Sequence, residues 1–236
     1  MKTLIDEMGA AWKFMGAGFR RIEHTASIFP SSRFLVDTMV SQAPLEHAHC
    51  VVEFGPGTGA VTRAILDAMP RTAHLHAIEL DGELLQTLTT RIADPRLRPI
   101  HGDATRAVEL IHGANCWHGA TAVFSSLGLA LMKDSLRAAI LREASALLAP
   151  DGTFMQYQYL HAIPLAYQFG QGFAPFNGQS FLQGHFRQVD RHFVFANLPP
   201  AAVYTCRGVL APRQLTRVRK PVVRTQRRRR VAGSRR

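Results

Sequence analysis

Residues 51–59, Val-Val-Glu-Phe-Gly-Pro-Gly-Thr-Gly, constrain the fold more than any other stretch of this chain. Val51 and Val52 suit a buried parallel strand, where both faces are covered and apolar runs are the rule. Gly55, Gly57 and Gly59 let the backbone turn sharply and approach a ligand closely. From 60 to 69 the apolar residues follow helical spacing, so the turn opens onto a helix N-terminus. Glycines between strand and helix also mark dinucleotide folds, but that fingerprint places its third glycine three positions after the second. Here the spacing is G-x-G-x-G, with Glu53 two residues ahead of it. The bland alternative is a strand, turn and helix whose glycines only make the turn.

Strand and helix alternate beyond this turn. Apolar strands are predicted near 50–55, 74–80, 97–103, 120–127 and 152–160, and helices near 60–69, 82–93 and 134–149. Pro70, Pro95, Pro150 and Gly152 punctuate them. That order implies a parallel sheet with helices on both faces. Ser31 or Ser32 is placed to cap an earlier helix carrying Phe34, Leu35, Met39 and Val40. Two late stretches, near 187–197 and 201–209, flank Leu198-Pro199-Pro200 and suit an antiparallel hairpin.

Acids fall at the ends of consecutive strands. Glu79 ends the second and Asp103 the third, in His101-Gly102-Asp103-Ala104. An acid at the first of these positions can accept ribose hydroxyls in nucleotide folds. Each alone has a plain alternative as a strand-end or capping residue. Together with the glycine turn they point to one crevice. Asp81 is expected to cap the helix that starts at Gly82.

Composition bounds the setting. The 236 residues are enough for one substantial domain, and 47% are hydrophobic. No apolar run is long enough to span a bilayer, and charges at Asp6, Glu7 and Lys13 interrupt any secretory pattern, so a cytoplasmic location is expected. Cys50, Cys116 and Cys206 are scattered, with no C-x-x-C pair, so neither a zinc site nor a disulfide framework is expected, and Cys50 and Cys206 read as core residues. The net charge of +11 is uneven: twelve of the 28 Lys and Arg, and none of the 17 acids, lie in 207–236. A nearly neutral domain, 29–210, therefore carries a basic tail, 211–236, which composition reads as disordered. The tail suits anionic lipid, nucleic acid or a solubilising role, and charge alone does not choose. Ahead of the domain, residues 1–28 include an amphipathic stretch with Leu4, Ile5, Met8, Trp12, Met15 and Phe19 on one face, suited to a membrane surface or to a lid.

The glycine turn resembles the first motif of class I methyltransferases, which use S-adenosyl-L-methionine. A closer resemblance is to the bacterial phospholipid N-methyltransferases, themselves similar to ribosomal RNA adenine dimethylases. It is carried by Phe29-Pro30-Ser31-Ser32-Arg33, Glu53 to Gly59, Ala77-Ile78-Glu79-Leu80-Asp81, Gly102-Asp103-Ala104, Ser125-Ser126-Leu127, Pro150 to Tyr157, and Asn197-Leu198-Pro199-Pro200-Ala201. It covers most of 29–209. Adenine methylases usually hold their planar amine with an Asp/Asn-Pro-Pro-Tyr or Asn-Leu-Pro-Phe motif after the fourth strand. Ser125-Ser126-Leu127-Gly128 has neither proline nor amide there, although Gly128 also departs from a proline common in the lipid enzymes.

The resemblance implies a Rossmann-like α/β fold: a mostly parallel seven-stranded sheet, helices on both faces and a C-terminal antiparallel hairpin. It implies a cofactor site of Glu53, Gly55, Gly57, Thr58, Gly59, Glu79, Asp103, Ala104 and Ser125. Glu53 would meet the ammonium of the methionine moiety, Glu79 the ribose, and Asp103 with the Ala104 amide the adenine. The implied reaction is methyl transfer to the amine of phosphatidylethanolamine or ornithine lipid, with RNA adenine methylation as the alternative. Tyr157 is expected at the amine, with Tyr159, His161 and Ser125 nearby, because tyrosine rings attract cationic headgroups. Phe169, Phe173, Phe176, Phe181 and Phe186 are expected to line an acyl entrance or to form a packed lid. The expected partners are the lipid and an anionic membrane surface at the inner face of the cytoplasmic membrane, with no nucleic acid and no obligate protein partner.

Overall fold

Val51 and Val52 lie fully buried in an interior strand of a seven-stranded sheet. The computed structural model describes residues 31–112, 116, 119–160 and 177–210. The strands are β1 (Cys50–Phe54), β2 (His74–Glu79), β3 (Leu97–His101), β4 (Ala120–Ser125), β5 (Leu148–Tyr159), β6 (Phe186–Val194) and β7 (Ala201–Val209). The helices are α1 (Ser31–Ser41), α2 (Ala60–Ala68), α3 (Gly82–Arg91), α4 (Ala107–Ile111), α5 (Asp134–Leu147) and α6 (Gly178–Gln183). The strand order is β3-β2-β1-β4-β5-β7-β6. The first five strands run parallel, and β7 is antiparallel to both β5 and β6. This is the expected Rossmann-like methyltransferase sheet with its terminal hairpin.

Position in the sheet explains strand composition. β1 is buried at every residue because helices cover both its faces. β3 is an edge, so it tolerates Pro99, whose nitrogen has no hydrogen to donate. The other edge, β6, carries Arg187, Gln188, Asp190, Arg191 and His192, which blunt it against further pairing. β5 begins earlier than the apolar pattern indicates. Ala120 pairs with Leu148 and Ala122 with Thr153, so an irregularity absorbs the polar Pro150-Asp151-Gly152 segment within the strand.

Two apolar layers sandwich the sheet. One joins Leu35, Met39, Val51, Ile65, Leu75, Phe124, Met155, Tyr157 and Val203. The other joins Cys50, Val52, Phe54, Ile78, Ile140, Leu141, Phe154, Leu182 and Phe186. Phe186 is fully buried and stacks on Phe154 with ring centroids 5.5 Å apart. Phe181 packs half-buried against the same layer, 5.5 Å from the Arg137 guanidinium. Phe186 therefore belongs to the core and lines no acyl entrance, and Phe181, on α6, packs on the same layer. Burying a side chain of this size contributes about 1.5–3 kcal/mol. Phe169, Phe173 and Phe176 lie outside the described residues, as do 1–30, His161 and 211–236.

The structure also departs from the expectation for cysteine. Cys50, at the start of β1, is bonded to Cys116, with Cα atoms 5.5 Å apart. A sequence separation of 66 hid the pair, because only the fold brings the loop after α4 back to β1. Cys206 is free and buried, as expected of a core residue.

Candidate functional site

The carboxyl ends of β1, β2, β3 and β4 converge where the strand order reverses, between β1 and β4. Ligands of open α/β sheets bind at such a crevice. The glycine turn leaves β1 here. Gly55, Gly57 and Gly59 all have left-handed φ, of +70°, +55° and +95°. A Cβ at Gly55 would lie 2.6 Å from Leu127 Cδ2, and one at Gly59 would lie 2.7 Å from Leu88 and Ile92. The left-handed backbone thus requires glycine at these two positions, and an added carbon would also press on the side-chain ends of Leu127, Leu88 and Ile92. Gly59 sits at the N-cap of α2 and supplies no side chain, so the helix opens toward the crevice.

Glu53 is fully buried, and Oε2 accepts a 2.7 Å hydrogen bond from the Thr62 hydroxyl on α2. Its Oε1 is buried with no protein partner. Burial pushes this carboxyl up to about 8; the Thr62 bond pulls it down, and the Glu79 charge raises it further. An orphaned buried carboxyl oxygen is a costly feature unless a donor or cation meets it. Thr62 escaped the sequence reading, although a polar residue on the inward face of an apolar helix is a signal of this kind.

Glu79 is almost wholly buried and spans two loops. Oε2 accepts from the Gly57 amide at 3.1 Å and Oε1 from the Asp81 amide at 3.0 Å. Burial raises its pKa, and these backbone donors oppose the rise. Asp81 Oδ1 accepts from the Glu83 and Leu84 amides and caps α3, as its position implied. Asp103 caps the single helical turn that follows β3, accepting from the Thr105 amide at 2.8 Å, and Ala104 is buried beside it. Thr58 is half-buried within the glycine turn.

A second polar group gathers across β4 and β5. Ser125 ends β4 fully buried, in register with Phe54 on β1 and Gln156 on β5. Its Oγ accepts from the Leu127 amide at 3.4 Å. Gln156 Nε2 donates to the Leu127 carbonyl at 2.9 Å and to the Tyr157 carbonyl at 2.6 Å. Gln156 Oε1 and Ser126 Oγ are buried without a protein partner. Arg137, buried on α5, donates to the Leu129 carbonyl and to Asp134, fixing the turn after Leu127. None of Gln156, Ser126 and Arg137 is expected as a site residue from sequence, although Ser126 stands in the Ser125-Ser126-Leu127 motif. Gln156 had a visible signal, an amide inside an apolar strand.

Tyr157 and Tyr159 take the opposite face. Tyr157 packs with Phe124 and Met155, and its ring meets Tyr159 edge-on at 5.5 Å. Ser125 instead shares its strand pairing with Gln156. The expected trio is therefore divided: Ser125 joins the amide and serine group, and the two tyrosines form an aromatic pair at the carboxyl end of β5.

That same end carries the β6–β7 turn, because Val194 and Tyr159 both pair with Ala201. Asn197 is buried and donates from Nδ2 to the Pro199 carbonyl at 2.6 Å, within the Asn-Leu-Pro-Pro segment, whose Leu198–Pro199 peptide is cis. Phe195 is 71% exposed, Leu198 70% and Phe193 46%. Phe193 and Phe195 stack at 5.6 Å, and the Arg191 guanidinium lies 4.6 Å over the Phe193 ring. Among the described residues, no helix is long and apolar enough to cross a membrane.

Residues 23–110 match the family described as ribosomal RNA adenine dimethylase. Over 83% of this chain and 95% of its own length, an ornithine lipid N-methyltransferase from Singulisphaera acidiphila is 31% identical. A ribosomal RNA small subunit methyltransferase A from Alcanivorax borkumensis is 38% identical, but over only 33% of this chain and 27% of its own. Among solved structures, 1,6-didemethyltoxoflavin-N1-methyltransferase from Burkholderia thailandensis, with S-adenosylhomocysteine bound, superposes with a TM-score of 0.61 at 17% identity, covering 86% of this chain and 89% of that one. The N-methyltransferase NodS from Bradyrhizobium japonicum, also with S-adenosylhomocysteine, gives 0.59 at 12% identity over 76% and 88%. Both likenesses fix the fold, that of the class I methyltransferases.

Proposed function

The chain belongs to the bacterial phospholipid N-methyltransferase family and is a SAM-dependent lipid N-methyltransferase; we propose that its acceptor is the primary amine of an ornithine lipid or of phosphatidylethanolamine, methylated at a membrane surface. One observation carries this reading. The adenine dimethylase match stops at residue 110, before β4, whereas the similarity to the ornithine lipid enzyme spans 83% of the chain. The cofactor half is thus common to both families. The half that selects the acceptor, β4 to β7, resembles a lipid enzyme, and the segment directly after β4, Ser125-Ser126-Leu127-Gly128, lacks the proline-and-amide motif that holds an adenine amine.

SAM supplies an electrophilic methyl on a sulfonium. The residues present fit it. Glu53 Oε1, buried and unpartnered, suits the ammonium of the methionine moiety, whose positive charge would offset the cost of ionising a buried carboxyl. The glycine turn presents backbone without side chains beside it. Glu79 retains accepting capacity for ribose hydroxyls while holding the Gly57 amide. Asp103 and the Ala104 amide would take the adenine edge, and Thr58 stands in the glycine turn.

On the acceptor side, the amine must lose a proton before it attacks. Desolvation favours its neutral form. Gln156 Oε1 and Ser126 Oγ, which have no protein partner, accept from the neutral amine's N–H groups and leave its lone pair for the methyl. Ser125 and Gln156 hold the Leu127 segment that frames this space. Tyr157 and Tyr159, on the other face of β5, offer an aromatic surface to the headgroup where it passes over the carboxyl end of the strand, and that headgroup gains permanent charge once fully methylated. Alignment of amine and methyl supplies much of the rate. Phe193, Phe195 and Leu198, exposed at the crevice end of the sheet, suit insertion into an interface, with Arg191 beside lipid phosphate.

The test is lipid mass spectrometry after expressing the full chain in a host that makes both phosphatidylethanolamine and ornithine lipid. Mass gains of one or more methyl groups on either amine lipid are expected. An unchanged lipid profile, with active protein binding S-adenosylhomocysteine, rejects the acceptor assignment.

A further inference from the structure

Cys50, His76 and Cys116 converge far from the glycine turn along the sheet. Each offers one donor atom, and the three atoms all lie within 4.8 Å of one another. Cys50 opens β1, whereas Glu53 and the glycine turn lie toward its other end. Cys50 and His76 are 1% and 5% exposed. His76 Nε2 is buried with no hydrogen-bond partner. A histidine clustered with two sulfurs and carrying a buried ring nitrogen without a partner is a group in search of a ligand.

We propose that, with the disulfide reduced, Cys50, Cys116 and His76 bind a zinc-type cation. Two thiolates cancel its double charge, so the ion enters a buried site without leaving net charge behind. Tetrahedral zinc with sulfur and nitrogen ligands spaces its donors by roughly 3.4–3.8 Å. The observed cluster needs only the small relaxation that opens the sulfur–sulfur bond. A fourth donor is close by. His74 pairs in register with Cys50, lies two residues before His76 on the same strand, and has a buried, unpartnered Nδ1.

Disulfide and metal are alternatives, because each sulfur uses the same electrons. A dithiol reductant delivers two electrons and two protons to the disulfide, giving two thiols and itself becoming a disulfide. Zinc then displaces one proton from each thiol, forming two zinc–sulfur bonds and releasing two protons. Cytosolic thiols are kept reduced, so a chain working there holds the metal-binding form. The bound ion would tie the loop after α4 to β1 and β2, as the disulfide does in the oxidised chain.

The test uses the full chain, stripped with a chelator, reduced with a phosphine and titrated with Zn²⁺ against a chromophoric competitor. One equivalent is expected to bind at least 100-fold more tightly than to the Cys50→Ser, Cys116→Ser double variant. His76→Gln is expected to weaken binding at least tenfold, whereas Cys206→Ser leaves it unchanged. The oxidised chain takes up no equivalent at this site. Cobalt added to the reduced wild-type chain provides a readout independent of variant folding, a thiolate-to-cobalt charge-transfer band in the near ultraviolet. Absence of that band, or equal zinc affinity in the double-cysteine variant, overturns the proposal.

Discussion

The Gly57 amide donates to Glu79 Oε2 at 3.1 Å, so the glycine turn after β1 is tied to the end of β2 across 22 residues. The same carboxylate holds the Asp81 amide, which leads into α3. Glu79 therefore shapes the crevice as well as offering it a charge. Replacing it with Ala strands two amides at a nearly buried position and is expected to cost about 1–3 kcal/mol. Glu79→Gln keeps a carbonyl acceptor and removes a buried charge, so its stability should stay closer to wild type. Both variants should lose affinity for S-adenosylhomocysteine. Urea unfolding alongside calorimetric titration separates the two effects.

Glu53 makes cofactor affinity depend on pH. Burial is the main cause that lifts its carboxyl to about 8, from an ordinary value of 4.5. Between those values the folded chain holds a proton that the unfolded chain has lost. Stability from this group is therefore complete below about pH 4.5 and falls as pH rises toward 8, by at most about 1.4 kcal/mol per unit. Binding an ammonium at Oε1 draws the carboxyl into its charged form and releases the proton. S-adenosylhomocysteine should bind more tightly as pH climbs, by up to about tenfold per unit, levelling off near 8. Glu53→Gln should flatten that dependence and raise the stability of the free protein at high pH. Calorimetry in buffers of different ionisation enthalpy reads the proton directly.

Gln156 and Tyr157 are neighbours on β5 with opposite duties. Gln156→Leu removes the donor to the Leu127 carbonyl and the unpartnered Oε1. It should lower kcat by roughly 10–100-fold while leaving S-adenosylhomocysteine affinity within about threefold of wild type. Tyr157→Ala opens a void in the layer shared with Phe124 and Met155, and should cost about 3–5 kcal/mol. Tyr157→Phe keeps the ring and is expected to fold normally. Normal turnover in Tyr157→Phe would limit the residue's part to its aromatic face. Normal turnover in folded Tyr157→Ala would remove it from the reaction.

The β6–β7 turn should bind membranes. Phe195→Ser with Leu198→Ser removes two side chains that are about 70% exposed, so folding stability should move little. Sedimentation with vesicles containing anionic lipid should fall, and turnover on vesicle substrate should fall with it. Turnover on a short-chain soluble amine lipid should be retained. Unchanged sedimentation would assign membrane contact elsewhere.

Elements with a local signal were legible in the sequence. Val51-Val52 and the three glycines marked β1 and its turn because a buried strand and left-handed backbone leave few alternatives. Asp81 announced its helix through a capping bond that spans only two and three residues. Pairings made by the tertiary fold were not legible. Thr62 reaches Glu53 only once α2 packs on the sheet, and Cys116 reaches Cys50 only through the return of a loop. Aromatic spacing does not say which surface a strand buries, so only the burial of Phe186 and its stacking on Phe154 remove it from an acyl entrance. Ser125 and Tyr157 looked like partners by distance along the fold. The register places Gln156 opposite Ser125 and thereby turns Tyr157 to the other face.

The acceptor assignment is tested most directly by one competition assay. The full chain is supplied with methyl-labelled SAM and mixed vesicles of ornithine lipid, phosphatidylethanolamine and anionic lipid, together with unmethylated small-subunit ribosomal RNA. Label is expected in the amine-lipid fraction, with the RNA left unlabelled. Label in the RNA, with none in either lipid, would contradict the account.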